Sequence, residues 1–97
     1  MSLHGHPVLE QVHLPDGRNA SVRVGIAEDS YIPDRELNTV VLEVRVGHGV
    51  AAVIDTVLDA AQVDAARHLA RRVRDGLSSG ELEPSTSALE RLADSVL

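Results

Sequence analysis

The chain has 97 residues and a formal net charge of −6, values that fit one domain and argue against a general nucleic-acid-binding protein. It contains no cysteine, which excludes disulfides and thiolate metal sites, and it has no apolar run of the roughly 18 residues that a membrane span requires. We expect a cytoplasmic protein, because the first residues lack the pattern of a signal peptide. We also expect one domain over residues 1–97, with a flexible segment over residues 1–7.

Two apolar stretches, VLEQVHL (8–14) and NASVRVGIA (19–27), predict a β-hairpin. The Pro-Asp-Gly sequence between them (15–17) favours a three-residue loop closed by a left-handed glycine. Such a loop pairs Leu14 with Arg18. In this register one face of the hairpin is apolar and the other polar, and a slip of one residue would mix the two faces.

The next segment, EDSYIPDRELN (28–38), is polar and contains Pro33, so we predict a loop. TVVLEVRV (39–46) follows and alternates along its length as a strand does. Its even-numbered residues from 40 to 46 are all apolar, which predicts that they face the core.

The stretch VAAVIDTVL (50–58) fits two structures. Its apolar residues have helical spacing, but they are largely β-branched and follow a glycine-containing turn, which favours a strand. We favour the strand, joined by a three-residue loop; the alternative is one long helix over 50–76. The three-residue loop predicts these pairs: Val46 with Val50, Leu42 with Ile54 and Val41 with Asp55.

A first helix is predicted over residues 60–76. Asp59 and Gln62 have the spacing of a capping box, and Gly76 stands where a helix C-cap would be. The predicted helix has an apolar stripe that we expect to face the sheet. The stripe comprises Val63, Ala66, Leu69, Ala70, Val73 and Leu77.

A second helix is predicted over residues 86–96, capped by Ser85 or Thr86. Because the strands and helices are segregated along the chain, the predicted class is α+β. The predicted architecture is an antiparallel β-meander of three to four strands (about 8–14, 19–27, 39–46 and 50–58) followed by two helices (about 60–76 and 86–96).

The first helix carries the only marked cluster of cations. Arg67, Arg71 and Arg74 are spaced to form one ridge on the side of the helix away from its apolar stripe. Three interpretations are open: a solvated helix face, a contact for an acidic protein surface or the acidic sheet of a second subunit, and a phosphate contact for nucleic acid. Stacking aromatics, which single-strand binders use, are absent, so nucleic acid is the weakest of the three.

The loop over 28–38 is a second candidate surface. It holds Tyr31, the chain's single aromatic residue, followed by Ile32, with four carboxylates around them. A tyrosine on a loop is a good contact residue because it is large and has few rotatable bonds. Tyr31 and Ile32 are therefore predicted to contact a partner or a second copy of the chain, or alternatively to cover one end of the core.

The sequence supplies no recognisable catalytic set. It contains no nucleophile elbow, no phosphate-binding glycine loop and no zinc-protease motif. His4 and His6 could join His13 or His48 at a metal, but nothing in their spacing forces convergence. We therefore expect no catalytic residues, no metal and no cofactor.

Taken together, these features predict a small non-enzymatic interaction or regulatory module that forms a homodimer and binds a protein partner. A thin core of Val, Leu and Ala would gain from the added burial of a dimer. Two alternatives stay open: a nucleic-acid-binding regulator that uses the arginine-rich helix, and a small dimeric enzyme or ligand carrier.

Overall fold

The computed structural model describes residue 3, residues 5–26 and residues 39–97. Within them, four strands form one antiparallel sheet in sequence order and precede two helices, which confirms the predicted α+β fold. No helix among these residues is long and apolar enough to cross a bilayer. The elements are β1 (Val8–His13), β2 (Asn19–Ile26), β3 (Val40–Val46), β4 (Gly49–Asp55), α1 (Val63–Ser79) and α2 (Thr86–Val96).

The β1–β2 hairpin has the predicted register. The N–H of Leu14 donates to the carbonyl of Arg18 at 2.9 Å, and Gly17 takes the left-handed conformation at φ 90°. The carboxylate of Asp16 accepts hydrogen bonds from the backbone N–H of Arg18 (3.0 Å) and from its Nε (2.6 Å). The backbone hydrogen bond is the main reason that the pKa of Asp16 lies below its ordinary value.

The β3–β4 connection corrects the predicted loop. It has two residues instead of three, with Gly47 at φ 61°, so Val46 pairs with Gly49 and the predicted pair of Val46 with Val50 is wrong. A bulge then shifts the register between Val44 and Arg45. The bulge adds one residue to β4 and so restores the other predicted pairs, Leu42 with Ile54 and Val41 with Asp55.

The strand β4 ends at Asp55, earlier than the predicted residue 58, and the alternative helix over 50–76 is wrong. Thr56 explains the early end. Its N–H and its hydroxyl both donate to the carbonyl of Val40, at 2.9 and 2.8 Å. Its Oγ1 also accepts the N–H of Leu58 at 3.3 Å, which turns the chain out of the sheet.

Helix α1 begins at Val63, three residues later than predicted. Asp59 and Gln62 form one of the two contacts of a capping box: Asp59 N–H donates to Gln62 Oε1 at 2.8 Å, but Asp59 Oδ1 accepts the N–H of Ala61, at 2.9 Å, instead of that of Gln62. However, these bonds close a separate turn over 59–62. The helix then starts with Gln62 as its N-cap and without a side-chain cap bond.

Helix α1 also continues past Gly76, which is not its C-cap. Gly80, at φ 81°, ends the helix, and its N–H donates to the carbonyl of Leu77. Residue 76 is a glycine for a tertiary reason: a Cβ there would lie 2.8 Å from the Cβ of Leu82. The segment after α1 thus packs directly on the helix backbone, where a side chain would not fit.

Helix α2 starts as predicted at Thr86. Ser85 is its N-cap, and the hydroxyl of Ser85 accepts the N–H of Ala88 at 3.3 Å. Helix α1 packs on β1 and β2, and α2 packs on β4. Both helices contribute to one core with the inward side chains of all four strands, on what we call the inner face of the sheet. The predicted stripe of α1 is buried from Ala66 to Leu77.

Residue 3, within the segment predicted to be flexible, belongs to this core. Leu3 is 1% exposed, and its N–H donates to the carbonyl of Ala60 at 2.8 Å. The opposite, outer face of the sheet carries exposed apolar side chains, among them Leu9, Val50 and Val53.

Candidate functional site

Arg74 does not stand free on the predicted ridge. Its Nη1 donates to Oε1 of Glu10 on β1 at 3.0 Å, and its Nη2 donates to Asp75 at 3.0 Å. Both members of the pair with Glu10 are partly shielded, with 36% and 24% of the side chains exposed. Arg74 is therefore a tie between the helix and the sheet, and its charge is already matched within the fold.

Arg67 and Arg71 differ from Arg74 in this respect. Among the described residues, Arg67 has one ion pair, with Asp64 at 3.6 Å, and Asp64 is fully exposed, so this pair is weak. Arg71 forms no ion pair or hydrogen bond with any residue that the structure describes. The positive charge left to the ridge is therefore that of Arg71 and, in part, Arg67.

These two arginines line a groove between α1 and β1, which we call the arginine groove. It has a volume of about 300 Å³. One wall is the helix, with Val63, Arg67 and Arg71, and the other wall is the start of β1 and the residues before it. That second wall comprises His6, Pro7, Val8, Leu9 and Glu10.

The strand beside the groove is an edge of the sheet. Among the described residues, β1 pairs only with β2. Because Leu14 and Arg18 are a hydrogen-bonded pair, every second residue back along the strand also bonds to β2. The N–H and carbonyl groups of Leu9, Gln11 and His13 therefore point away from β2, toward the open edge.

Glu10 is the site residue that the sequence alone could have indicated. It stands between Val8 and Val12 on the inner face, where a carboxylate needs a cation beside it. Arg74 supplies that cation from a position 64 residues along the chain. His6, Pro7 and Leu9 give no such signal, because their place in the groove depends on how α1 crosses β1.

The other predicted contact residues, Tyr31 and Ile32, lie outside the described residues. In the described ranges, no three His, Asp or Glu side chains come together in a group that could hold a metal ion. A second depression of about 380 Å³ lies between α1, α2 and the linker that joins them, residues 80–85. Its hydroxyl, on Ser79, donates to the carbonyl of Gly76 at 3.2 Å and so closes the helix end.

As far as the structure describes the chain, the groove thus offers two arginines whose charge is largely unmatched, one exposed leucine and a row of unpaired backbone groups, a combination suited to binding. Comparisons with protein-family models, curated proteins and solved structures find no match to this chain.

Proposed function

We propose that the protein is a non-enzymatic interaction module that binds an acidic protein segment in the arginine groove. The observation that carries the proposal is Arg71, which has no ion pair among the described residues and lines a groove beside an open strand edge. Arg67 adds a second, weakly paired cation to the same groove. Arginine suits carboxylate partners because its planar guanidinium can donate two parallel hydrogen bonds.

The same arrangement favours a protein partner over nucleic acid. With Arg74 paired to Glu10 and Asp75, only two cations of the ridge remain for an incoming anion. Duplex binders gain most of their affinity from many phosphate contacts, and the net charge of −6 opposes such contacts. Steeply salt-dependent retention of a labelled DNA duplex, lost in Arg71→Glu, would instead support the nucleic-acid alternative.

The proposal is tested with a fluorescein-labelled peptide in which glutamate and valine alternate. Fluorescence anisotropy should show binding to the wild-type protein and none to a matched peptide of alternating lysine and valine. Arg71→Glu removes one exposed pair and adds a repulsion, each worth about 0.2–1 kcal/mol, so the affinity should fall by about twofold to thirtyfold.

Arg91→Glu is the control for net charge. Arg91 is exposed on α2, outside the groove, and its substitution changes the charge by the same amount. It should change the affinity by less than about twofold, since water and salt screen the field of an exposed charge outside the groove. Equal losses in Arg71→Glu and Arg91→Glu, or equal binding of the lysine peptide, would contradict the proposal.

We also propose that the module is a homodimer and that the β4 edge is its contact. Val53 and Val57 are 45% and 85% exposed at and just beyond this strand, and Leu97 shares a small groove with Val57. Exposed apolar side chains that lie together are typical of interfaces. Light scattering at micromolar concentration should give twice the 10.4 kDa mass of the chain.

Val57→Asp should convert this dimer to a monomer. Leu9→Asp is the matched control, because Leu9 is 61% exposed on the opposite edge of the sheet and should leave the mass unchanged. A wild-type mass of one chain would overturn the dimer, and so would a Leu9→Asp monomer beside a Val57→Asp dimer.

A further inference from the structure

We infer that the acidic segment binds as an added strand, hydrogen-bonded to the open edge of β1. This inference rests on the proposed function and specifies the form of its partner: an extended stretch of about six residues in which acidic and apolar side chains alternate. Three observations on the strand and its surroundings support it.

The first is the backbone of β1. Leu9, Gln11 and His13 present their N–H and carbonyl groups to the open edge, because the residues between them bond to β2. These residues are spaced at about 6.8 Å, the two-residue repeat of a strand, so an extended segment can meet all of them. Peptides that add to a sheet edge gain affinity from these main-chain bonds.

The second observation is the contrast between the two faces beside the edge. On the inner face stand Arg67 and Arg71, and on the outer face stands Leu9, whose side chain is 61% exposed. An added strand directs successive side chains to opposite faces. Acidic residues at alternate positions would then meet the arginines, and the apolar residues between them would cover Leu9.

The third observation is that, within the described part of the chain, β1 has little protection against such pairing, since the charge of its inward-facing Glu10 is matched by Arg74. Edge strands are commonly guarded by a lysine, a proline or a bulge within the strand. The sequence of β1 is VLEQVH, its pairing with β2 is regular, and the nearest prolines, Pro7 and Pro15, lie beyond its ends. Since Pro7 lacks an N–H, it also limits the template at that end.

The opposite edge of the sheet fits this partner poorly. Strand β4 has a bulge, and its outward side chains include Asp55, which would repel an acidic segment, whereas the carboxylate on β1, Glu10, is already paired with Arg74. No arginine lies in the groove beside Asp55, which is lined by Thr56, Val57, Ala93, Asp94 and Leu97. Charge complementarity therefore selects β1 for the acidic strand.

The test is amide hydrogen exchange by NMR on the full chain, with and without the glutamate–valine peptide. At a free peptide concentration of about 100 times Kd, amides protected only in the complex should exchange about 100-fold more slowly. We expect a gain of protection at Leu9, Gln11 and His13, whose N–H groups face the open edge in the free protein, whereas Glu10 and Val12, already bonded to β2, should be protected with and without the peptide.

A second measurement compares two N-methylated peptides, one methylated at every odd-numbered residue and the other at every even-numbered residue. Only one of the two lacks the N–H groups that face β1. That peptide should bind more than about tenfold more weakly than the unmodified peptide, and the other should lose much less affinity. Binding that is lost in Arg71→Glu but leaves the three amides unprotected would overturn the added strand alone. No binding of the unmodified peptide would overturn both the added strand and the proposed function.

Discussion

Gly76→Ala should destabilise the protein, although alanine is the better helix former. Helix propensity alone would stabilise a helix interior by about 0.8–1 kcal/mol. Here the new Cβ would lie 2.8 Å from the Cβ of Leu82, and Leu82 is held in place because its N–H donates to the carbonyl of Gly76 at 3.0 Å. Overpacking of this kind costs about 1–3 kcal/mol, so we expect a net loss of about 1 kcal/mol.

Urea unfolding followed by circular dichroism measures this change in the free energy of unfolding. Gly49→Ala is the matched control, because a Cβ at residue 49 meets nothing within 4 Å and its backbone is not left-handed. The control should change the free energy of unfolding by less than about 0.5 kcal/mol.

The sign of the effect should reverse in a Leu82→Gly background. That variant lacks the opposing Cβ, so Gly76→Ala should then stabilise the protein by up to about 1 kcal/mol, as helix propensity dictates. A double-mutant cycle compares the two backgrounds directly. A gain in stability from Gly76→Ala in the wild-type protein would refute the reasoning about this contact.

Three further predictions concern other contacts. Glu10→Gln and Arg74→Gln should each lower the free energy of unfolding by about 0.5–1 kcal/mol, and the double variant by less than the sum; additive losses would show that the pair contributes nothing. The pKa of Asp16, measured by NMR, should lie below 3.8, since a backbone N–H stabilises its carboxylate. Its contribution to stability should therefore be present above about pH 4 and lost as the pH falls through the lowered pKa, and a pKa at or above 3.8 would contradict this. Leu3→Ala should lower the free energy of unfolding by about 2–4 kcal/mol, because Leu3 is 1% exposed. Leu97→Ala should lower it by less than half as much, because Leu97 is 43% exposed. Equal losses in the two variants would argue against a buried Leu3.

The hairpin was predictable because its signals are local. The Pro-Asp-Gly turn and the strict alternation of residues 19–26 agree on one register, and each would oppose a slip. Helix α2 was predictable for the same reason, with Ser85 as cap and an apolar stripe behind it. In these segments neighbouring residues determine the structure.

The errors arise where a distant contact overrides a local signal. Gly76 resembles a C-cap in sequence, but it is required by Leu82, which packs on the helix from the linker. The capping-box spacing of Asp59 and Gln62 is real but closes a turn before the helix. The bulge in β4 leaves no signal in the sequence that would separate a two-residue loop from a three-residue one.

The candidate site shows the same division. Helical spacing predicts Arg67, Arg71 and Arg74 as one ridge away from the apolar stripe of α1, but it cannot reveal that Arg74 is paired with Glu10 on the sheet. It also cannot reveal that the remaining arginines lie beside an open strand edge, because the path of α1 across β1 is set by core packing. The groove therefore emerges only when the fold is known.

A charge swap tests most directly whether the arginine groove selects an acidic strand. The double variant Arg67→Glu/Arg71→Glu reverses the groove and leaves Arg74 and its pair with Glu10 in place. We expect the wild-type protein to bind the glutamate–valine peptide and the double variant to bind the lysine–valine peptide, each at least about tenfold more tightly than the opposite peptide. If the double variant binds the glutamate peptide as tightly as the wild-type protein does, the groove is not the binding site.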